Sequence, residues 1–317
     1  MSEVDGSALL GWEGMEAKIV ITGGSGLIGR ALAAELVQAG AEVVIVSRSP
    51  EKLATARGVS GVRWSPPRAG DLLSALSGAS AVVHLAGENL ASGRWSDARK
   101  IRFRNSRVAT GQMLADALSE VEPRPATFIQ ASAVGFYGPR AEGDIRESEP
   151  PGDDYLARLC VDWEAATAPV EALGVRRAVI RTGVVLAADE GALPKMVMPF
   201  KMFAGGPMGS GDQWVPWIHL ADEVGAIRFL LEREDLSGAF NLTAPEPVTN
   251  RRMAKMLGKV LRRPSLIPAP SFALRAALGE MSSVVLEGQR AVPARLEEAG
   301  YEFQFPGLEA ALRDVLT

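Results

Sequence analysis

A glycine-rich stretch near the start of the chain has the residue types that hold phosphate groups. Residues 22–29 read Thr-Gly-Gly-Ser-Gly-Leu-Ile-Gly, between a predicted strand and a predicted helix. Glycines suit this place because the turn is tight and a pyrophosphate must approach the backbone closely. The start of the helix then offers free N–H groups to the phosphates. We therefore predict dinucleotide binding rather than a purely structural turn. The predicted contacts are Gly23, Gly26, Leu27, Ile28 and Gly29.

The residues after the second predicted strand bear on which dinucleotide is bound. In NAD-binding versions an acidic residue about twenty positions further on holds the ribose 2′-hydroxyl. Here Ser47 and Arg48 stand at the tip of the strand, and a guanidinium can pair with a 2′-phosphate. We predict NADP(H) as the cofactor, with Ser47 and Arg48 as contacts. The alternative is that Arg48 is a solvated charge and Glu51 holds the ribose.

Strands and helices alternate along the first 186 residues. Apolar runs that are typical of buried strands lie at 18–22, 43–46, 81–86, 127–132 and 178–181. Apolar residues recur at helical spacing over 27–39, 72–76, 97–118 and 155–173. Such alternation indicates a parallel sheet that is covered by helices on both faces. We predict an α/β fold with a Rossmann-type doubly wound parallel sheet.

Beyond residue 186 the pattern becomes irregular. Prolines and glycines between 194 and 211 predict loops. Helices return near 220–233, 250–261, 271–279 and 307–316. We therefore divide the chain into an N-terminal extension (1–15), an NADP-binding domain (16–186) and a smaller substrate-facing C-terminal part (187–317). Later strands can complete the sheet of the second unit.

The composition excludes several classes of protein. The chain has 317 residues, of which 47% are hydrophobic and 23% are charged, as in ordinary folded domains. No apolar run approaches the ~18–20 residues of a membrane span, and a net charge of -4 argues against a nucleic-acid partner. With one cysteine and two histidines, we expect no metal site. The N-terminus lacks the cationic start of a signal peptide, so we expect a cytoplasmic protein with no membrane partner.

Five further stretches carry specific motifs. Residues 85–89 read Leu-Ala-Gly-Glu-Asn, residues 132–138 read Ser-Ala-Val-Gly-Phe-Tyr-Gly, and residues 181–186 read Arg-Thr-Gly-Val-Val-Leu. Asp-Trp-Glu stands at 162–164 and Gly-Gln-Arg at 288–290. Together with the glycine loop, these motifs resemble the extended short-chain dehydrogenases/reductases. Within them the match is to the sugar-nucleotide-epimerase-like subgroup called epimerase family proteins, which has an extra C-terminal segment.

This resemblance implies further contacts to the dinucleotide. Leu85 and Ala86 are expected under the adenine and the ribose, and Gly87 is expected to allow close approach of the backbone. Val184 is expected beside the nicotinamide. Arg107, on the long helix, is expected to reach the cofactor, although it can instead be one surface arginine among several.

Most members of the broad family use a Ser or Thr with a Tyr-x-x-x-Lys pair. The spacing puts Tyr and Lys on one face of a helix, where the Lys lowers the pKa of the phenol. Four residues after Tyr155 stands Leu159. If Glu164 is matched to the acidic residue that often ends this motif, the Tyr and Lys positions become Leu156 and Cys160. Either alignment predicts that the usual proton-transfer pair is absent.

Other groups must then take part in any reaction. We predict Ser132 and Tyr137 as catalytic residues, with bonding to the backbone and packing within the turn as their respective alternatives. Cys160 as a nucleophile is the least favoured option, because a lone cysteine on an apolar helix face is usually inert. His84, inside an apolar strand, is predicted to be a core histidine.

Three residues are candidates for substrate binding. Glu88 and Asn89 follow a strand end, where their alternative is to cap backbone groups. His219 lies in the segment 217–222, which the family uses to close its pocket, and its alternative is to bond backbone carbonyls. The methionines near 196–202 predict either an adaptable pocket lining or the packed face of a helix.

The resemblance and the motifs together imply an NADP(H)-binding oxidoreductase- or epimerase-like enzyme. Its substrate is expected to be small and polar, with a sugar derivative as one option. The alternative is a non-catalytic binding or regulatory protein that depends on NADP(H). Dimerisation through the helices at 97–118 and 155–173 is a further expectation from the family.

Overall fold

The computed structural model describes residues 17–52, 58–64 and 71–317. Its strands are β1 (Lys18–Thr22), β2 (Glu42–Ser47), β3 (Val59–Arg63), β4 (Ala81–His84), β5 (Thr127–Ala133), β6 (Arg176–Thr182), β7 (Val184–Leu186), β8 (Trp214–Val215), β9 (Trp217–His219), β10 (Gly238–Leu242) and β11 (Val248–Thr249). Its α-helices are α1 (Leu27–Gln38), α2 (Leu72–Leu76), α3 (Asp97–Arg104), α4 (Thr110–Ser119), α5 (Tyr155–Thr167), α6 (Leu193–Lys201), α7 (Leu220–Glu232), α8 (Asn250–Leu261), α9 (Ser271–Leu278), α10 (Ser283–Leu286), α11 (Ala294–Glu298) and α12 (Leu308–Leu316).

Seven of the strands form one parallel sheet in the order β3-β2-β1-β4-β5-β6-β10. The order runs outward in both directions from β1, which is the doubly wound arrangement. The predicted Rossmann-type sheet is therefore confirmed. Its last strand, β10, comes from beyond residue 186, and α7 packs against α1 in the same core. The sheet thus crosses the boundary predicted at residue 186.

The sheet strands are apolar along their whole length because helices cover both faces. Alternate residues of β1 show this directly. Ile19 and Ile21 pack in the core under α1 and α7. Val20 packs on the other face, with Leu114 and Leu118 of α4. Because all seven strands are parallel, their carboxyl ends lie along one common edge of the sheet, which we call the carboxyl edge.

The two long predicted helices are each interrupted. Between α3 and α4 lies one turn of π-helix, Asn105–Ala109, a feature that is frequent at functional sites. After α5 the chain tightens into a 3-10 turn, Ala168–Leu173, where Pro169 offers no N–H to continue an α-helix.

Two parts of the chain differ from expectation. The prolines near 194–199 predicted a loop, but α6 occupies this stretch. Pro194 lies in the first turn of α6, where a missing N–H leaves no helical bond unmade. Strand β3 was not predicted, because three of its five residues are exposed and the apolar pattern is weak.

The C-terminal part has its own core, in which α6, α8 and α12 surround Trp217. A strap of residues 287–293 ties this part to the sheet. Ile145 N–H donates to the carbonyl of Arg290, and Asn241 of β10 donates to the carbonyl of Val292. Among the described residues, no helix combines the length and the apolar character that crossing a membrane requires.

Candidate functional site

The glycine loop lies at the carboxyl end of β1 and leads into α1. Gly23 has a φ of +73°, and a Cβ there would lie 2.7 Å from the carbonyl carbon of Leu85. At Gly29 a Cβ would lie 2.6 Å from the carbonyl oxygen of Gly23. Only glycine fits these two places, because the neighbouring atoms are backbone that cannot move aside. Gly26 precedes the first residue of α1 and offers no side-chain cap. The first N–H groups of the helix are thus left for a ligand.

At the tip of β2 the charges are arranged in favour of a phosphate. Glu51, the alternative ribose ligand, accepts a bond of 2.7 Å from Arg63. A second nitrogen of Arg63 donates to the carbonyl of Arg48 over 2.9 Å. Arg48 itself is exposed, and Ser47 caps the N–H of Ser49. Sequence reasoning missed Arg63 because β3 was not recognised.

Arg107 lies in the π-helical turn and is buried, 9% exposed. Its guanidinium stacks on the ring of Trp163, 4.9 Å from the centroid, and donates to the carbonyl of Phe103. A Cβ on Gly87 would lie 3.1 Å from the guanidinium carbon. No carboxylate within the described residues forms an ion pair with it, and burial lowers its pKa. A buried cation without a counter-charge, beside a predicted cofactor contact, favours an anionic or strongly polar ligand.

Strand register explains a second polar cluster, at the ends of β5, β6 and β10. Ser132, Arg181 and Asn241 are in register on these neighbouring strands, so their side chains project side by side. The Ser132 hydroxyl donates to Glu164 over 2.6 Å. Glu164 also accepts two bonds of 2.9 Å from Arg181, a bidentate ion pair.

Tyr137 completes this cluster, which we call the Arg181 network (Ser132, Glu164, Arg181, Tyr137 and Asn241). Arg181 donates to the phenol oxygen over 3.0 Å, and the phenol donates to Asn241 over 2.6 Å. Tyr137 is 1% exposed, and burial raises its pKa to about 12. Its hydroxyl is thus held in the interior, as the packing alternative expects, and Ser132 bonds to a carboxylate rather than to the backbone.

The positions at which the broad family keeps its acid–base pair carry no such groups. Leu156 is half-buried and Cys160 is buried. Burial raises the pKa of the Cys160 thiol to about 12, which leaves it un-ionised and unreactive at neutral pH.

Tyr155, at the start of α5, is a phenol that sequence reasoning did not single out as a site residue. It is half-buried, and its ring lies 5.5 Å from that of Trp95. The ammonium of Lys100 lies 5.1 Å above the same ring. Burial raises the pKa of this phenol, and the positive charge of Arg107 offsets part of that rise. The sequence could have indicated Tyr155 as a site candidate, since the chain has only three tyrosines.

The candidate substrate ligands have structural partners. Glu88 faces Arg102 at 3.3 Å, and the Asn89 side chain caps the N–H of Ala91 over 2.8 Å. His219 accepts the N–H of Ala221 over 3.1 Å, which corrects the expected bond to a backbone carbonyl. Its ring packs on Phe305 with centroids 3.9 Å apart, and burial lowers its pKa.

The remaining predicted positions lie at the carboxyl edge. Leu85, Ala86 and Val184 are half-buried there. The N–H of Val184 donates to the carbonyl of Pro216 over 2.7 Å. His84 is a core histidine, as predicted. It is fully buried, its Nδ1 lies 2.6 Å from the Thr22 hydroxyl, and burial lowers its pKa to about 3.

A doubly wound sheet with a glycine loop before α1 defines the class of Rossmann-type dinucleotide-binding proteins. Comparison with known proteins specifies the family. The model described as "NAD dependent epimerase/dehydratase family" matches residues 19–243, and a domain of unknown function, DUF1731, matches residues 269–315. The chain belongs to the NAD-dependent epimerase/dehydratase family.

Individual relatives cover nearly the whole chain. A chloroplastic epimerase family protein SDR39U1 homolog from Arabidopsis thaliana is 40% identical over 303 residues, which are 94% of this chain and 86% of the relative. An epimerase family protein of Mycobacterium leprae is 41% identical over 300 residues, covering 94% and 95%. The crystal structure of human SDR39U1 with NADPH is 35% identical, has a TM-score of 0.84 and covers 94% of this chain and 98% of that one.

Proposed function

We propose that the chain is an NADP(H)-dependent oxidoreductase- or epimerase-like enzyme that acts on a small polar substrate at the carboxyl edge. The observation that carries the cofactor part is the pairing of Glu51 with Arg63. It engages the carboxylate that could serve an NAD-specific site there, while Arg48 is exposed at the tip of β2. The NADPH found with the human relative supports the same choice.

The residues present fit this cofactor. The glycine cradle, which is the space at Gly23 and Gly29 that a Cβ would fill, suits the pyrophosphate. Ser47 and Arg48 would hold the 2′-phosphate, and Arg107 would hold a polar group beside Gly87. Leu85, Ala86 and Val184 supply half-buried apolar surface for the rings. When bound, the cofactor supplies or accepts a hydride.

The side chains of the carboxyl edge would then bind the substrate, position other groups and donate a proton. The hydroxyl proton of Ser132 is engaged by Glu164, so Ser132 is suited to accept a hydrogen bond from the substrate. Tyr137 is a positioning residue, because both of its bonds hold Arg181 and Asn241. Tyr155 is the better candidate for a proton donor, because its phenol is half-buried, lies outside the Arg181 network and makes only a long bond of 3.4 Å to the carbonyl of Lys100.

Oxidation of NADPH against a panel of carbonyl compounds tests this proposal. We expect turnover with at least one small polar carbonyl compound. Tyr155→Phe should then lower kcat by about 10²-fold or more, as loss of a proton donor does. Tyr137→Phe, the matched control, should leave kcat within about three-fold, since a positioning hydroxyl acts mainly on stability. Tight binding of NADPH without any turnover would overturn the enzyme proposal.

A second candidate is a non-catalytic NADP(H)-dependent binding or regulatory protein. It is favoured by the apolar Leu156 and the buried Cys160 at the usual acid–base positions, and by the complete pairing within the Arg181 network. Under this proposal NADPH binds tightly and alters hydrogen exchange near the carboxyl edge, yet no carbonyl compound oxidises it.

A cytoplasmic location and a homodimer stay proposals as well. For the dimer, the exposed side chains of Ile101 on α3 and Val161 on α5 provide apolar surface on the two predicted helices. Light scattering after size-exclusion chromatography tests it: Ile101→Glu should shift a dimer to monomers.

A further inference from the structure

A basic stretch of the chain lies far from the glycine loop in sequence, on α8 and the turn that follows. Between residues 250 and 268 there are six cations and no acidic residue, although the whole chain has a net charge of -4. The apolar face of α8, with Met253 and Leu257, packs in the C-terminal core. Arg251, Arg252, Lys255 and Lys259 therefore share the outer face of α8, and Arg262 and Arg263 follow in the turn after the helix.

Four of these cations line an open groove of about 810 Å³. Arg251, Lys255 and Lys259 are spaced four residues apart, which places them along one side of α8, and Arg263 lies in the turn after the helix. Pro207 and Ser210 form the opposite wall. At Gly258 a Cβ would lie 2.8 Å from the carbonyl oxygen of Arg263. The absence of a side chain therefore lets the turn after α8 lie close against the helix. None of the lining residues belongs to the glycine loop or to the carboxyl edge.

The positive charge of this groove is only partly balanced. Arg251 lies 3.2 Å from Asp212, and Lys259 lies 2.6 Å from Glu309. Lys255 has no ion-pair or hydrogen-bond partner among the residues that the structure describes. Arg263 stacks over the ring of Phe203, 4.6 Å from its centroid, and likewise has no carboxylate partner there.

Apolar side chains stand exposed beside these charges. Leu266, which lines the groove, is 81% exposed, and Phe203 is 59% exposed. Phe203 also has a φ of +59°, a backbone region that bulky residues rarely adopt. Cations next to large exposed apolar groups suit a ligand that has an anionic head and an apolar portion.

We propose that this α8 groove is a second ligand site, for a phosphate-bearing organic anion with an apolar portion. Lys255 and Arg263 bind the phosphate, and Leu266 contacts the apolar portion. The site is separate from the cofactor site, so its ligand binds whether or not NADPH is bound.

Calorimetric titration with decyl phosphate, below its micellar concentration, tests the proposal on protein saturated with NADPH. Saturation blocks the phosphate contacts of the glycine loop. We expect saturable binding, and weaker binding of inorganic pyrophosphate, which lacks the apolar portion. Lys255→Glu should weaken the binding of decyl phosphate by at least about ten-fold, which corresponds to 1.4 kcal/mol.

Arg252→Glu is the matched control. Arg252 is exposed on the same helix but does not line the groove, so the same change of charge should alter binding by less than about three-fold. Leu266→Ala should weaken the binding of decyl phosphate and leave pyrophosphate unchanged. Equal losses in Lys255→Glu and Arg252→Glu, or no saturable binding of either probe, would overturn the proposal. Sedimentation with phosphatidylcholine–phosphatidylglycerol vesicles without binding of soluble decyl phosphate would also overturn it, in favour of a membrane surface.

Discussion

The two halves of the carboxyl edge share one strand pattern but differ in what lies at the strand ends. Beside β1 and β4 stand glycines, and backbone N–H groups are left open to a ligand. Beside β5, β6 and β10 stand long polar side chains that satisfy one another in the Arg181 network. The first half can recognise phosphates through its backbone. The second half is already paired, so under the proposed function it would act on a substrate through a group outside the network, such as Tyr155, whose phenol makes one long bond of 3.4 Å to the carbonyl of Lys100.

This contrast shows that cofactor binding and proton transfer vary independently within one fold. Backbone recognition needs only glycines and a helix start. Proton transfer needs a group whose pKa and position are both suitable. The cofactor half of this chain has the glycine pattern. In the other half Leu156 and Cys160 stand at the positions of the usual pair, and Glu164 is paired with Arg181.

The largest effect is expected from breaking the Arg181 network. Arg181→Met leaves Glu164, whose side chain is 14% exposed, without its counter-charge. Removing one partner of a buried pair destabilises a protein by about 3–5 kcal/mol, which urea denaturation measures. Arg146→Met, which breaks an exposed pair with Glu298, should change the free energy of unfolding by about 1 kcal/mol or less. Similar losses in both variants would show that the network is not a buried, paired unit.

A smaller effect is expected on the cofactor half from Arg48→Ala. Loss of a charge-assisted bond to phosphate costs about 1.5–3 kcal/mol, so the Kd for NADPH should rise about 10–100-fold. The Kd for NADH should stay unchanged, because NADH has no 2′-phosphate. Arg146→Ala, at an exposed arginine that pairs with Glu298, provides the control. An unchanged preference for NADPH in Arg48→Ala would contradict the assignment.

The glycine cradle is tested by Gly29→Ala. The added Cβ would meet the backbone of Gly23 and Gly24 at 2.6 Å, so the loop must shift. Overpacking of this kind costs about 1–3 kcal/mol and should appear as weaker binding of NADPH in calorimetry. Gly307→Ala, where a Cβ has no neighbour within 4 Å, should bind NADPH as the parent does.

The smallest effects per unit of pH are two slopes of stability, of opposite sign in the two halves. Burial raises the pKa of Glu223, bonded to Thr182 at the end of β6, from 4.5 to about 8. The folded state then keeps a proton that the unfolded state loses, so stability falls as the pH rises through this window. Burial lowers the pKa of His84 from 6.5 to about 3, so stability falls as the pH drops through that window.

Each slope is at most about 1.4 kcal/mol per pH unit. Urea denaturation across the two windows measures them. Glu223→Gln should flatten the fall on the alkaline side and His84→Gln the fall on the acid side. If a variant has the same pH dependence of stability as the parent in its window, the substituted residue does not cause that slope.

The sequence alone determined most of the sheet and the cofactor half of the edge. Apolar strand runs, helical spacing and a glycine pattern are local signals, because each is set by residues that are close together in the chain. Strand β3 and helix α6 were not predicted from the sequence, because β3 has a weak apolar pattern and the prolines of α6 are typical of loops. The absence of the Tyr-x-x-x-Lys pair was also visible in the sequence.

Only the tertiary structure decided the rest. The pairing of Glu51 with Arg63, the register of Ser132 with Arg181, and the burial of Arg107 all join residues that are distant in the chain. Whether a side chain is free or paired depends on which strands become neighbours, and no local pattern records that. The sequence therefore predicted where a dinucleotide would bind, and the folded arrangement decided which polar groups are paired with one another.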